Sequence, residues 1–249
     1  MSVRLVALAL VSALAAGCYF SRSPTRPVPA LFARTSGEAQ ARCLVVFVPG
    51  LLDGPDSFVE HDAFAALTAS GAPCDAVSVD LHYRYYFGGH VADALYEDVL
   101  YPALARGYEE IWLVGISLGA MGVTLTMREH AASIAGVVLL SPFLGIDPVR
   151  REVAETGLRD WHPGPLPREI DDASFTRFVW ATLRGYVDDP DELPPLYVGW
   201  AEGETQDGPS RALAAVLPAD HVATVEGRHD WAAWTPLLGT LLSRARPGR

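Results

Sequence analysis

Short apolar runs that end in glycine, proline or aspartate alternate with longer amphipathic stretches from residue 44 onward, and this alternation constrains the fold most. "LVVFVPG" is continuous and apolar up to Pro49–Gly50, as a parallel strand buried on both faces should be. "DAVSVDL", "EIWLVG", "IAGVVLLSP", "PPLYVGWA" and "HVATVEG" follow. Between them lie helical patterns near 58–69, in "HVADALYEDVLYPALARG", in "SLGAMGVTLTMREHA", through "SRALAAVL" and in "WAAWTPLLGTLLSRA". Alternating β and α elements predict an α/β fold, a mostly parallel sheet with helices on both faces. No internal repeat or second domain interrupts the pattern, and 249 residues suit one domain.

The sharpest chemical signal sits where one strand meets one helix. Residues 115–119 read G-I-S-L-G, placing Ser117 between "EIWLVG" and a helical stretch. A strand-to-helix turn this tight strains its central residue and brings neighbouring segments close, so Gly115 and Gly119 make room by lacking Cβ. Gly122 is expected to allow close helix–sheet approach. The turn lifts the Ser117 hydroxyl off the sheet, toward the N-terminal N–H groups of the helix.

A serine hydroxyl needs a base to act as a nucleophile. Of seven histidines, His130, His162, His221 and His229 lie downstream of Ser117. His130 is in the same helix as the serine, His162 in an irregular segment, and His221 opens a strand. His229, in "VEGRHDW", falls on the loop after the last strand, where a side chain reaches the sheet's C-terminal edge. An acid that orients the imidazole should follow the preceding strand. Glu202, Glu204 and Asp207 in "AEGETQDG" are the candidates. Two backbone donors for a developing oxyanion are expected at Leu118, just after the serine, and at Leu51, in the loop after "LVVFV".

With these residues in place the chain resembles an α/β-hydrolase over roughly residues 44–243. More narrowly, "GYEEIWLVGISLGAMG", "VVLLSPFLG", "LAAVLPADHV" and "GRHDWAAW" resemble a group of bacterial, often lipid-anchored proteins of that fold. The acid loop of that group reads G-E-x-D, and counting back from "LAAVLP" the resemblance puts the acid on Glu204 ahead of Asp207. The chain departs in carrying "VPG" where many relatives have His–Gly. It is also short before "LVVFV", so the first strands of the full fold are expected to be absent or reduced to something like "VPALFA". The fold places a cap insertion at about 142–194. There "FTRFVWATLRGY" reads either as a cap helix over an acyl group or as packing against the sheet. Tyr83, Tyr85 and Tyr86, after a strand on the same edge, read either as pocket lining or as core.

The first eighteen residues have the layout of an export signal: "MSVR", a twelve-residue apolar run, then "GC". "LAAGC" resembles a bacterial lipobox with Cys18 as the lipidated residue, with plain secretion and an uncleaved anchor as alternatives. The expected organisation is a signal peptide (1–17), a lipidated Cys18 with a proline-rich tether (18–43), and a hydrolase domain (44–249). By the lipobox resemblance Tyr19, standing where aspartate would mark inner-membrane retention, implies the outer membrane, facing the periplasm, in a cell that has one. Cys43 and Cys74 each stand six residues before their strand's end. In neighbouring parallel strands they would lie side by side, and a bridge would add roughly 3 kcal/mol. Two buried free thiols are the other reading.

A net charge of −11 with no basic cluster excludes nucleic acid as a partner. No metal site or cofactor motif is evident. The expected activity is hydrolysis of carboxylic esters or related acyl bonds through an acyl-enzyme. Partners would be a small-molecule or lipid ester and the membrane. Acyl transfer to another acceptor on the same site, and a non-catalytic envelope lipoprotein that uses the fold for binding, are the alternatives.

Overall fold

The computed structural model describes residues 21–35 and 39–249. Seven strands form one sheet: β1 (Ala30–Ala33), β2 (Cys43–Val48), β3 (Cys74–Val79), β4 (Glu110–Ile116), β5 (Gly136–Leu140), β6 (Leu196–Glu202) and β7 (Val222–Glu226). Their spatial order is β1-β3-β2-β4-β5-β6-β7. All neighbours pair parallel except β1, which pairs antiparallel with β3. β2 and β3 are buried at every position, as expected of central strands covered on both faces. The chain is therefore a mostly parallel α/β fold, and "VPALFA" does supply a reduced first strand.

One face of the sheet carries α1 (Ser57–Glu60), α2 (Ala63–Ala69) and the C-terminal α9 (Trp231–Ala245). The helix expected near 58–69 is thus two pieces, broken at Asp62, whose φ of 60° is left-handed. The other face carries α3 (Val91–Leu95), α4 (Tyr101–Ala105), α5 (Leu118–His130), α6 (Val149–Thr156), α7 (Phe175–Asp188) and α8 (Asp207–Ala214). One π-helical turn, Tyr96–Leu100, joins α3 to α4. Phe178, Trp180, Leu183 and Tyr186 of α7 are buried in the core of this face, so most of the aromatic stripe in "FTRFVWATLRGY" packs inward.

At the N-terminal end of the strands, Cys43 pairs in register with Cys74 and the two are joined as a disulfide. Cys18 lies outside the described residues. The proline-rich stretch expected to be a tether is held to the domain. Arg22 bonds Asp80, Tyr85 Oη donates to Thr25 O (2.6 Å), and Asp98 accepts from Val28 N (2.9 Å) and from Arg26. These contacts satisfy polar groups of a segment that a tether would leave to water.

Candidate active site

Parallel strands of this order deliver their following loops to one edge, and the candidate residues meet there. Ser117 stands between β4 and α5 with φ 50° and ψ −114°, outside the favoured regions for a non-glycine residue. The strain is held by bonds on both sides. Ser117 N donates to Leu140 O (2.9 Å), and Ser117 O accepts from Phe143 N (3.0 Å). The flanking glycines are required by contact: a Cβ on Gly119 would stand 2.2 Å from Val48 O, and one on Gly115 would stand 2.7 Å from Ala120 Cα. Gly122 has a different reason from the one expected. Its missing Cβ faces Tyr86 Oη at 2.9 Å and Val91 Cγ2 at 3.1 Å, so it lets α5 approach α3 and a tyrosine, not the sheet.

His229 follows β7, and its Nε2 lies 2.9 Å from Ser117 Oγ. Its Nδ1 lies 2.9 Å from Glu204 Oε2, which follows β6. The Glu204 side chain is 1% exposed, and its other oxygen, Oε1, is buried without a protein partner. The hydrogen bond to His229 is the contact that the described residues give this buried carboxyl.

The other acids have different work. Asp207 accepts from Trp200 Nε1 (2.8 Å), from Gly203 N (3.2 Å) and from Arg211, and so closes the turn that presents Glu204. Burial opposes ionisation of Asp207, but the bonds from Arg211, Trp200 and Gly203 outweigh it and hold the carboxyl below its usual range. Glu202 accepts from Thr224 Oγ1 at 3.1 Å on the exposed side of the sheet. The remaining downstream histidines are also accounted for: His130 stacks on Tyr96, His162 Nδ1 meets Arg184, and His221 Nδ1 bonds Leu196 O.

Leu118 N–H belongs to the first turn of α5, where no carbonyl four residues earlier is available to it. The loop bearing Leu51 is close by, since a Cβ on Gly50 would lie 3.5 Å from Ser117 Cβ. That loop is tied to α9 by Trp231 Nε1, which donates to Asp53 Oδ1 (3.2 Å). Trp234 sets its ring edge-on to His229 with centroids 5.1 Å apart and donates Nε1 to Ser141 Oγ (2.9 Å). These three supports, Asp53, Trp231 and Trp234, escaped the sequence reading. "HDWAAW" signalled the two tryptophans, which stand three apart at a helix start and share the face that packs beside the histidine; Asp53 has no such local signal.

Beside Ser117 opens an apolar cleft of about 330 Å³, lined by Leu118 and Met121 of α5 and by Tyr83, Tyr86, Phe143 and Phe175 among others. The tyrosine triplet therefore divides. Tyr83 and Tyr86 face the cleft, while Tyr85 is core, with its hydroxyl on Thr25. Phe175 is the one cleft-lining residue from the aromatic stripe of α7; Phe143, also in the cleft, comes from the loop after β5. Among the described residues no group of His, Cys, Asp and Glu is arranged to hold a metal ion.

Comparison with known proteins bears on this arrangement. No curated protein matches the sequence significantly. Among solved structures, the chain is similar to a ferulic acid esterase (14% identity, TM-score 0.58, covering 88% of this chain and 97% of that one). It is also similar to an arylesterase (18%, 0.55, covering 94% and 91%). A third is the fluorophosphonate-binding serine hydrolase F of Staphylococcus aureus (13%, 0.57, covering 89% and 85%). At these identities the likeness is one of fold. The model of the alpha/beta hydrolase family matches residues 45–245, which is most of the chain. The chain belongs to the alpha/beta hydrolase family.

Proposed function

We propose that this protein is a serine esterase with Ser117 as nucleophile, His229 as general base and Glu204 as the acid that orients it. The observation that carries the reading is the unbroken chain Ser117 Oγ to His229 Nε2 to His229 Nδ1 to Glu204 Oε2, with both links at 2.9 Å. In the first half-reaction His229 Nε2 takes the Ser117 proton as Oγ attacks the ester carbonyl. The imidazolium then protonates the departing alcohol. Glu204, buried against Nδ1, fixes the tautomer and stabilises the imidazolium. The N–H groups of Leu118 and Leu51 receive the oxyanion. A water molecule, deprotonated by His229, attacks the acyl carbon; the acyl–Oγ bond breaks, the imidazolium returns the proton to Ser117 Oγ, and the acid leaves. The cleft beside Leu118 takes the apolar acyl chain.

The protein is further proposed to be exported and held to the bacterial envelope by a lipid on Cys18, in the outer membrane facing the periplasm. The Cys43–Cys74 bridge supports an oxidising compartment. Mass spectrometry of membrane-extracted protein should find an acylated Cys18 at the N-terminus; an unmodified one there refutes the anchor.

Labelling with a fluorophosphonate probe tests the activity. The folded wild type should label, and the Ser117→Ala and His229→Ala variants should not. A folded wild type that resists the probe would sink the esterase reading in favour of a binding protein on a hydrolase fold.

A further inference from the structure

The large apolar side chains that this molecule exposes are not scattered. Leu51, Leu52, Val59, Phe87 and Ile146 are all exposed, and all stand on connections that leave the C-terminal ends of β2, β3 and β5. Phe87 and Ile146 also line the cleft beside Ser117, and Leu51 and Leu52 follow Gly50, where a Cβ would lie 3.5 Å from Ser117 Cβ. The other exposed large apolar side chains among the described residues, Leu31, Phe32 and Tyr101, lie on β1 and α4. Leu52 is the most informative member. It is 60% exposed and has φ 71°, a conformation in which glycine, asparagine or aspartate is far less strained than leucine. A leucine kept in that conformation, in water, points to a requirement for its side chain outside the fold.

The course of the N-terminal segment says what that requirement is. Because β1 runs antiparallel to β3, the chain enters β1 at the same sheet edge that carries the mouth. Arg22 is bonded to Asp80, the residue that directly follows β3. Thr25 is held by Tyr85, in the turn whose Tyr83, Tyr86 and Phe87 line the cleft. Cys18 precedes Arg22 by four residues, a span of at most about 14 Å. A lipid on Cys18 therefore enters the membrane within about 14 Å of a point fixed beside the mouth.

Resting on the lipid anchor and ester chemistry proposed above, we infer that the rim around Leu52, Val59 and Phe87 docks on the bilayer surface. The mouth then faces lipid, and the substrate is an acyl ester drawn from the membrane and not one met in free solution. The charged groups near the rim carry both signs (Asp53, Asp56, Glu60, Asp171 and Asp172, with Arg84 next to Phe87, Arg22 on Asp80, and Arg150 and Arg151 on Asp147), but the chain as a whole carries a net charge of −11. The surface that fits is zwitterionic or neutral lipid, since anionic headgroups would be repelled.

The test uses the full-chain lipoprotein reconstituted in phosphatidylcholine vesicles, with and without brominated acyl chains. A Leu52→Trp variant should lose tryptophan emission in the brominated vesicles relative to the parent, and a Tyr101→Trp variant should not. This readout needs no catalysis: it should persist in a Ser117→Ala background, where loss of all ester turnover speaks only to the esterase reading. In activity assays Leu52→Asp and Val59→Asp should slow hydrolysis of a bilayer-embedded long-chain ester about tenfold, the scale of one buried aliphatic side chain, and leave a soluble short-chain ester unaffected. Aspartate relieves the backbone at position 52, so misfolding does not mimic this result. Absence of quenching at Leu52→Trp in vesicle-bound protein overturns the inference. So do an equal loss on both esters, failure of the protein to bind vesicles, and burial of the rim in a dimer seen by sedimentation.

Discussion

The two ends of the parallel sheet are built on opposite principles. At the C-terminal end, Leu52, Ser117 and Ser141 all carry positive φ, apolar side chains face solvent, and a carboxylate is buried with one oxygen unpartnered. At the N-terminal end the strands are fastened to one another, although Asp75 Oδ1 there is likewise buried without a partner among the described residues. The disulfide joins β2 to β3, and Tyr108 Oη donates to the buried Asp75 (2.8 Å). The chain's last residues close over the bridge, with Gly248 N on Glu110 (3.1 Å) and Arg249 on Gly71 O (2.6 Å). Such a division allows strain to persist where chemistry needs it, because the opposite end over-determines the strand positions. It also means that substitutions at the two ends should separate activity from stability.

The largest effects belong to the open end. Ser117→Ala should lower ester turnover on the order of 10⁴-fold or more without lowering the thermal midpoint, and His229→Ala should do nearly the same. Stopped-flow or burst kinetics alongside calorimetry would check both; a midpoint that collapses with activity would erase the contrast between the ends. Next come the two acids of one loop. Glu204→Gln should reduce kcat roughly 10³-fold with little change in KM or stability. Asp207→Asn should cost less than about tenfold in kcat, lower stability by about 1 kcal/mol, and thereby behave as a turn residue. Equal kinetic losses for the pair would contradict their separate assignments.

The depressed Asp207 carboxyl adds a pH signature. A carboxyl held lower in the folded state than in the unfolded chain contributes stability above the unfolded value, and that contribution disappears as pH falls through the folded one. The difference in thermal midpoint between wild type and Asp207→Asn should therefore be full near neutrality and vanish in acid. A difference that grows on acidification would reverse the sign and refute the assignment.

At the fastened end, replacing Cys43 and Cys74 with alanine should remove about 3 kcal/mol of stability and leave kcat/KM unchanged. Denaturant titration of the variant and of reduced wild type should agree. The smallest expected effect tests whether the cleft beside Ser117 holds the acyl chain. Gly122→Ala pushes on Tyr86, so KM for long-chain esters should shift by less than about tenfold while short-chain esters are untouched. A uniform shift across chain lengths would remove Tyr86 from the cleft wall.

Much of this molecule is readable from the chain alone, because the signals are local. Runs such as "LVVFV" and "IWLVG" announce buried parallel strands by composition. Ser117 is marked by glycines two residues away on either side, and His229 by its place after the last strand. The proposed export and anchoring signals are likewise linear, since they rest on residues 1–18. What tertiary structure decided are choices between residues that look alike in a linear string. Glu204 and Asp207 share one loop and one charge; only the closing of the turn sends one to His229 and the other to Trp200. Tyr83, Tyr85 and Tyr86 sit within one 3₁₀ helix (Tyr83–Gly89), where positions three apart share a face, so Tyr83 and Tyr86 meet the cleft and Tyr85 the core. The antiparallel pairing of β1 has no local signature either. It comes from the fit of a four-residue strand against β3, and it brings the N-terminal segment to the edge where Ser117 stands. Local spacing determines which chemistry a chain carries, whereas long-range packing, which satisfies polar groups and buries apolar area across distant segments, decides which copy of a residue type performs it.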